Sequence, residues 1–123
     1  MGPKDRIHRR ASKRISPLVR EAVEAILARL EPKPRLIVLF GSEARGEATA
    51  DSDIDLLLLL DQQDEAAEAA AQDAVYDVMW RHNFDRLISV HALSLTRFEE
   101  LRRKGFGFAK NVDREGIVLW RAA

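Results

Sequence analysis

The segment Asp53-Ile-Asp-Leu-Leu-Leu-Leu-Leu60 constrains this chain more than any other. After Asp55 every position is apolar, so an extended strand here presents apolar side chains to both faces. Such a strand has to be covered on both sides, as the central strand of a layered α/β sheet is. The run is far too short to span a membrane. A length of 123 residues allows a single domain around one core.

The rest of the chain supplies the covers. Ser16 and Pro17 form a helix start, with Ser as N-cap and Pro in the first turn. Apolar residues from Leu18 to Leu30 then recur with helical spacing, and Pro32 and Pro34 end the helix. Arg35 to Phe40 reads as a buried strand. Gly41 to Ser52 is small and polar, a loop with room for a short helix after Ser42. Residues 63–81 are helical: Ala66, Ala70, Ala74, Val78 and Ala67, Ala71, Val75, Met79 form adjacent i,i+4 rows. Asn83 stops this helix, and Arg86–Leu93 is a third strand. Ser94 or Thr96 caps a helix running to Lys104, with Glu99 at capping-box spacing from Thr96. Gly105 and Gly107 break it. A helical stretch at Phe108–Arg114 leads to a last strand, Gly116–Trp120. The expected class is a small α/β domain over residues 15–123, preceded by a flexible basic arm at residues 1–14.

Composition excludes several chemistries. There is no cysteine, hence no disulfide, no thiolate-bound metal and no thiol nucleophile. The charge-rich start without an apolar signal core leads us to expect a cytoplasmic protein. The formal net charge is zero, but the charges are segregated. The arm is net +5, and the ten acids between Arg45 and Arg81 meet no basic residue there. Such a concentration of acids is solvated, paired with basic groups from elsewhere, or neutralised by metal cations.

The chemistry-bearing segment joins the two apolar runs. A strand ends directly in Gly41-Ser42, where small residues let backbone N–H groups and a hydroxyl approach a phosphate. After ten intervening residues, Asp53 and Asp55 open the next strand at i and i+2, on one face. Two carboxylates beside a phosphate-accepting turn suit Mg²⁺, which prefers one or two carboxylates plus phosphate oxygens.

These residues, with Gly41-Ser42-Glu43-Ala44-Arg45-Gly46, resemble the signature of the minimal nucleotidyltransferases of the DNA polymerase β superfamily. Weaker similarity continues through Phe84–His91, Phe98-Glu99-Glu100, Lys110-Asn111-Val112 and Glu115-Gly116-Ile117. The resemblance implies a small mixed sheet flanked by helices. It implies that Gly41 and Ser42 bind nucleotide phosphates and that Asp53 and Asp55 hold Mg²⁺. A third carboxylate would orient the acceptor hydroxyl. Asp85 is the candidate, although Ser89 and His91 hold the matching parity inside the strand; alternatively Asp85 pairs with Arg81 or Arg86. Arg45 either contacts phosphate or pairs with Glu47 or Asp51. Glu43 adds negative charge beside the phosphate turn. His91 reads as a packed or surface histidine, and Trp80 and Trp120 as core or interface anchors.

The function so implied is Mg²⁺-dependent transfer of NMP, AMP from ATP, to a hydroxyl on a partner protein, as in toxin–antitoxin pairs. The expected partners are a nucleoside triphosphate and a HEPN-domain protein or a second copy of the chain. No membrane is expected, and a nucleic-acid contact by the arm stays open. The alternative is a catalytically degenerate module that masks a HEPN-type partner.

Overall fold

The computed structural model describes residues 9–10 and 15–123. Along the chain run β1 (Arg9–Arg10), α1 (Pro17–Arg29), β2 (Leu36–Phe40), α2 (Gly41–Arg45), β3 (Ile54–Leu60), α3 (Glu65–Arg81), β4 (Ile88–Ser94), α4 (Leu95–Arg103), α5 (Gly107–Glu115) and β5 (Ile117–Arg121). The strands form one mixed sheet in the order β1-β5-β2-β3-β4. β2 is antiparallel to both β3 and β5, while β3 runs parallel to β4. The parallel pair is joined by α3, as a parallel connection requires a crossover.

The leucine run divides by parity. Leu56, Leu58 and Leu60 join Ile37, Leu39 and Ile54 beneath α1 and α3. Leu57 and Leu59 join Leu36 and Val38 beneath Phe98 of α4 and Ala109 and Val112 of α5. β3 is therefore central and covered on both faces, as its composition demands. On the second face α4 and α5 are tied by Arg102, whose side chain is only 5% exposed. Its guanidinium donates to both oxygens of Asp113 at 2.7 Å, pairs with Glu99, and lies 4.8 Å from the Phe98 ring centroid. That planar fork suits a bidentate, stacked ion pair.

Helix starts largely follow the caps. Ser16 accepts from the Val19 N–H and Asp64 from the Ala67 N–H. Ser94, not Thr96, caps α4, accepting from the Arg97 N–H at 3.0 Å. Glu99 consequently serves Arg102 rather than a capping box. α2 begins at Gly41 itself, two residues earlier than expected, and β3 begins at Ile54, leaving Asp53 just ahead of the ladder. Of the expected arm only Arg9–Arg10 lies among the described residues, paired in parallel with β5; the remainder of that expectation lies outside them. No helix among the described residues is long and apolar enough to cross a membrane.

Leu57 and Leu58 are both fully buried, on opposite faces. Leu57→Ala and Leu58→Ala should each lower the unfolding free energy by about 2–5 kcal/mol. Urea unfolding checks this; one variant costing less than about 1 kcal/mol would mean that one face of β3 is solvated.

Candidate active site

β2 delivers the chain to a sharp turn. Phe40 is paired with Asp55 across the β2–β3 ladder, and the next residue, Gly41, has φ +77°. Only glycine adopts that conformation without steric cost. A second demand falls on the same residue: a Cβ at Gly41 would lie 2.6 Å from Asp55 Oδ2. The turn backbone and the Asp55 carboxylate are therefore in direct apposition. Ser42 follows in the first turn of α2 and is half-buried.

Residues 46–53 are held by a set of polar ties. The Thr49 N–H donates to Ser52 Oγ and the Ser52 N–H to the Thr49 carbonyl, both at 3.0 Å. Arg86, in the turn before β4, donates to the Ser52 carbonyl and to Glu43, each at 2.9 Å. Arg45 donates to Glu47 at 2.8 Å and to Glu115 at the end of α5 at 2.9 Å. The pairing of Arg45 with Glu47 is thus present, and Glu43 is neutralised by Arg86. Asp53, exposed, is set at the mouth of β3 by the same ties.

Asp55 shares its parity with Leu57 and so belongs to the α4/α5 face. Burial pushes its carboxyl above the ordinary range; His91 works against this shift, and the Asp53 charge adds to it. The two aspartates therefore act on one region of space. The partner of Asp55 on β4 is Ser89. His91, two residues on, is half exposed and brings Nε2 to 3.9 Å from Asp55 Oδ1. Its ring lies 5.6 Å from that of Phe40, which in turn meets Phe108 edge-on at 5.4 Å.

The structure thus brings Gly41, Ser42, Asp53 and Asp55 to one corner. Arg45 flanks it with its guanidinium engaged by two carboxylates. Asp85 is exposed in the turn before β4, four residues ahead of Ser89. Neither Arg81 nor Arg86 pairs with it: they go to Glu21 and Glu43. His91 and Arg86 are the neighbours that sequence reasoning undervalued. The parity of His91 within its strand was the available signal; for Arg86, whose contacts are 34 and 43 residues distant, there was none. Among the described residues no group of three or more His, Asp or Glu side chains is arranged to hold a metal ion. Two carboxylates at one corner match in number what Mg²⁺ takes from a protein when phosphate oxygens and water complete its shell.

Gly41 and Gly46 both have positive φ, but a Cβ at Gly46 would meet nothing within 4 Å. Gly46→Ala should cost only the left-handed strain, about 1–2 kcal/mol. Gly41→Ala should cost more, because the Asp55 carboxylate must move, and the excess should vanish in an Asp55→Ala background. A double-mutant cycle by denaturant unfolding measures this coupling; a zero coupling energy would contradict the apposition.

Residues 19–114 match the family model described as "Nucleotidyltransferase domain". Over 104 residues the chain is 32% identical to a protein of Methanocaldococcus jannaschii named "Putative protein adenylyltransferase MJ0604", covering 83% of this chain and 94% of that one. Its fold is similar to a crystal structure described as a toxin–antitoxin with AMP-PNP (TM-score 0.57, 23% identity, 84% of this chain and 73% of that one). It is also similar to a crystal structure from Sulfolobus solfataricus described as "a putative nucleotidyltransferase" (TM-score 0.50, 20% identity, 85% and 78%). With most of its length matched and its strands and acidic pair in the expected order, the chain belongs to the nucleotidyltransferase domain family, transferases of phosphorus-containing groups.

Proposed function

We propose that this protein transfers AMP from ATP to a hydroxyl on a partner protein, with Mg²⁺ held by Asp53 and Asp55. The observation that carries the reading is the apposition of the Gly41 turn and the Asp55 carboxylate, where a Cβ would come within 2.6 Å of Oδ2. A phosphate lying on the Gly41–Ser42 backbone then lies beside the acid pair. The relative named as a protein adenylyltransferase supports AMP and a protein acceptor. The structural neighbour described with AMP-PNP supports an adenine nucleotide, and its being a toxin–antitoxin supports a partner protein. A HEPN-domain partner comes from the sequence resemblance.

Each residue then has a distinct task. Gly41 N–H and the Ser42 hydroxyl donate to phosphate oxygens. Asp53 and Asp55 supply hard oxygen ligands; burial, with the Asp53 charge, raises the affinity of Asp55 for a proton, and a cation bound there would offset that cost. Bound Mg²⁺ would neutralise triphosphate charge as it redistributes towards the leaving group. The acceptor oxygen bonds to the α-phosphorus, the bond to the pyrophosphate oxygen breaks, and the acceptor proton passes to a base. Asp85 at the rim is the carboxylate proposed for that end of the reaction. Arg45 borders the phosphate side, and Arg86 keeps Glu43 from repelling the nucleotide. A second reading, a masking module without transfer, draws on one observation: Ser89, not a carboxylate, stands opposite Asp55.

With α-labelled ATP, Mg²⁺ and the acceptor protein, Asp53→Asn and Asp55→Asn should each reduce label transfer about a hundredfold or more. Undiminished transfer would refute the assignment. An inert wild type whose complex persists in both variants would establish the masking module instead.

The Arg86 tie gives a test of opposite sign. On charge alone, Arg86→Gln strengthens binding of free Mn²⁺ in the absence of nucleotide, because a cation near the acid pair is lost. As the tie that sets Ser52 and hence Asp53, its loss should weaken binding severalfold, and Arg86→Lys, which lacks the fork, should weaken it too. Mn²⁺ titration followed by electron paramagnetic resonance separates the two.

A further inference from the structure

Among the described residues five large apolar side chains are exposed, and three of them belong to one patch: Tyr76 (52%), Trp80 (67%) and Phe84 (37%). Tyr76 and Trp80 stand one turn apart on α3, whose other face buries Ala71, Ala74, Val75 and Val78. Phe84 packs edge-on to both, with ring centroids 5.4 Å from Tyr76 and 6.1 Å from Trp80. It does so from a backbone with φ +55°, next to Asn83 at +56°. A bulky residue in the left-handed region is an outlier whose cost the rest of the fold must offset. Here the strained turn fixes an aromatic ring at the surface, not in the core. The patch borders β4, the sheet's outer strand, and lies on the α1/α3 side, opposite the face that carries Asp55.

The charges around the patch define what it accepts. Its cations are engaged: Arg81 and His82 with Glu21, and Arg86 with Glu43. Asp77 is taken by Arg29. Asp73 and Asp85, both exposed, form no ion pair among the described residues. The rim offered to a partner is therefore acidic. A nucleic acid or an anionic membrane would be repelled. A second copy related by a twofold axis would bring this same acidic rim against itself.

We propose that Tyr76, Trp80 and Phe84 form a docking surface for a protein carrying an apolar socket rimmed by Lys and Arg. Aromatic anchors of this kind, desolvated within a charged rim, dominate protein–protein recognition. Apart from Asp85, which it shares with the proposed reaction, the surface is independent of nucleotide chemistry, so its test is a binding test.

A random peptide library displayed on phage is panned against the full chain and counter-selected on Tyr76→Ser/Trp80→Ser. Both positions are exposed, so that variant should keep the wild-type melting temperature. The peptides recovered should combine Leu, Ile or Phe with Lys or Arg. A synthetic copy of the best should bind Asp73→Lys/Asp85→Lys at least about tenfold more weakly than wild type. Charge reversal keeps the test decisive even if the serine variant misfolds. The proposal is overturned by a library yielding no patch-dependent binder, by peptides without basic excess, or by affinity indifferent to charge reversal. It is also overturned if the wild type sediments as a dimer that Trp80→Ser dissolves, which would make a second copy the occupant.

Discussion

Everything in this molecule hangs on β3 being dry on both faces and wet at its entrance. Four leucines, Leu56 to Leu59, are completely buried and Leu60 nearly so, and burying each contributes on the order of 1.5–3 kcal/mol. Those side chains need helices above and below, which the α1/α3 and α4/α5 pairs supply. The two aspartates sit where that burial stops. Because strand alternation is rigid, Asp55 inherits its direction from Leu57 and Leu59. The hydrophobic core thereby aims the carboxylate.

The other half of the corner is held electrostatically. Gly41 brings backbone against the carboxylate, and the excursion from Gly46 to Asp53 returns to the sheet under the ties of Arg45 and Arg86. Exposed ion pairs contribute little each to stability. Their value here is geometric, since they fix a loop that has little apolar surface to bury. Arg86 also cancels Glu43, which the linear sequence leaves as an unexplained negative charge beside a phosphate-accepting turn.

Much of this was legible beforehand because it rests on local rules. The parity of the leucines, the Ser16-Pro17 start and the i,i+2 aspartates are all properties of a few neighbouring residues, and the elements they specify are present. The cap of α4 was ambiguous because Ser94 and Thr96 offer the same chemistry; packing of the β4 end chose Ser94. Arg86 and Glu115 were not legible as neighbours of the site, because their contacts depend on how distant segments meet, whereas His91 was signalled only by its strand parity. The reading of Trp80 as core or interface anchor resolves by exposure alone: it lies outside the core, whereas Trp120 packs partly against it.

The parity of β3 has a consequence for how such a chain can change in length. One residue added between Asp55 and Leu56 would rotate both aspartates to the side of α1 and α3, beneath helices with no room for a metal or a phosphate. The same residue added among Glu47 to Asp51 leaves the orientation of the acids untouched and disturbs only the polar ties of the loop, those between Thr49 and Ser52 among them. Across this short stretch, insertion is therefore forbidden at one end by geometry and negotiable at the other. The spacing between the glycine turn and the acid pair is an adjustable span attached to a fixed strand.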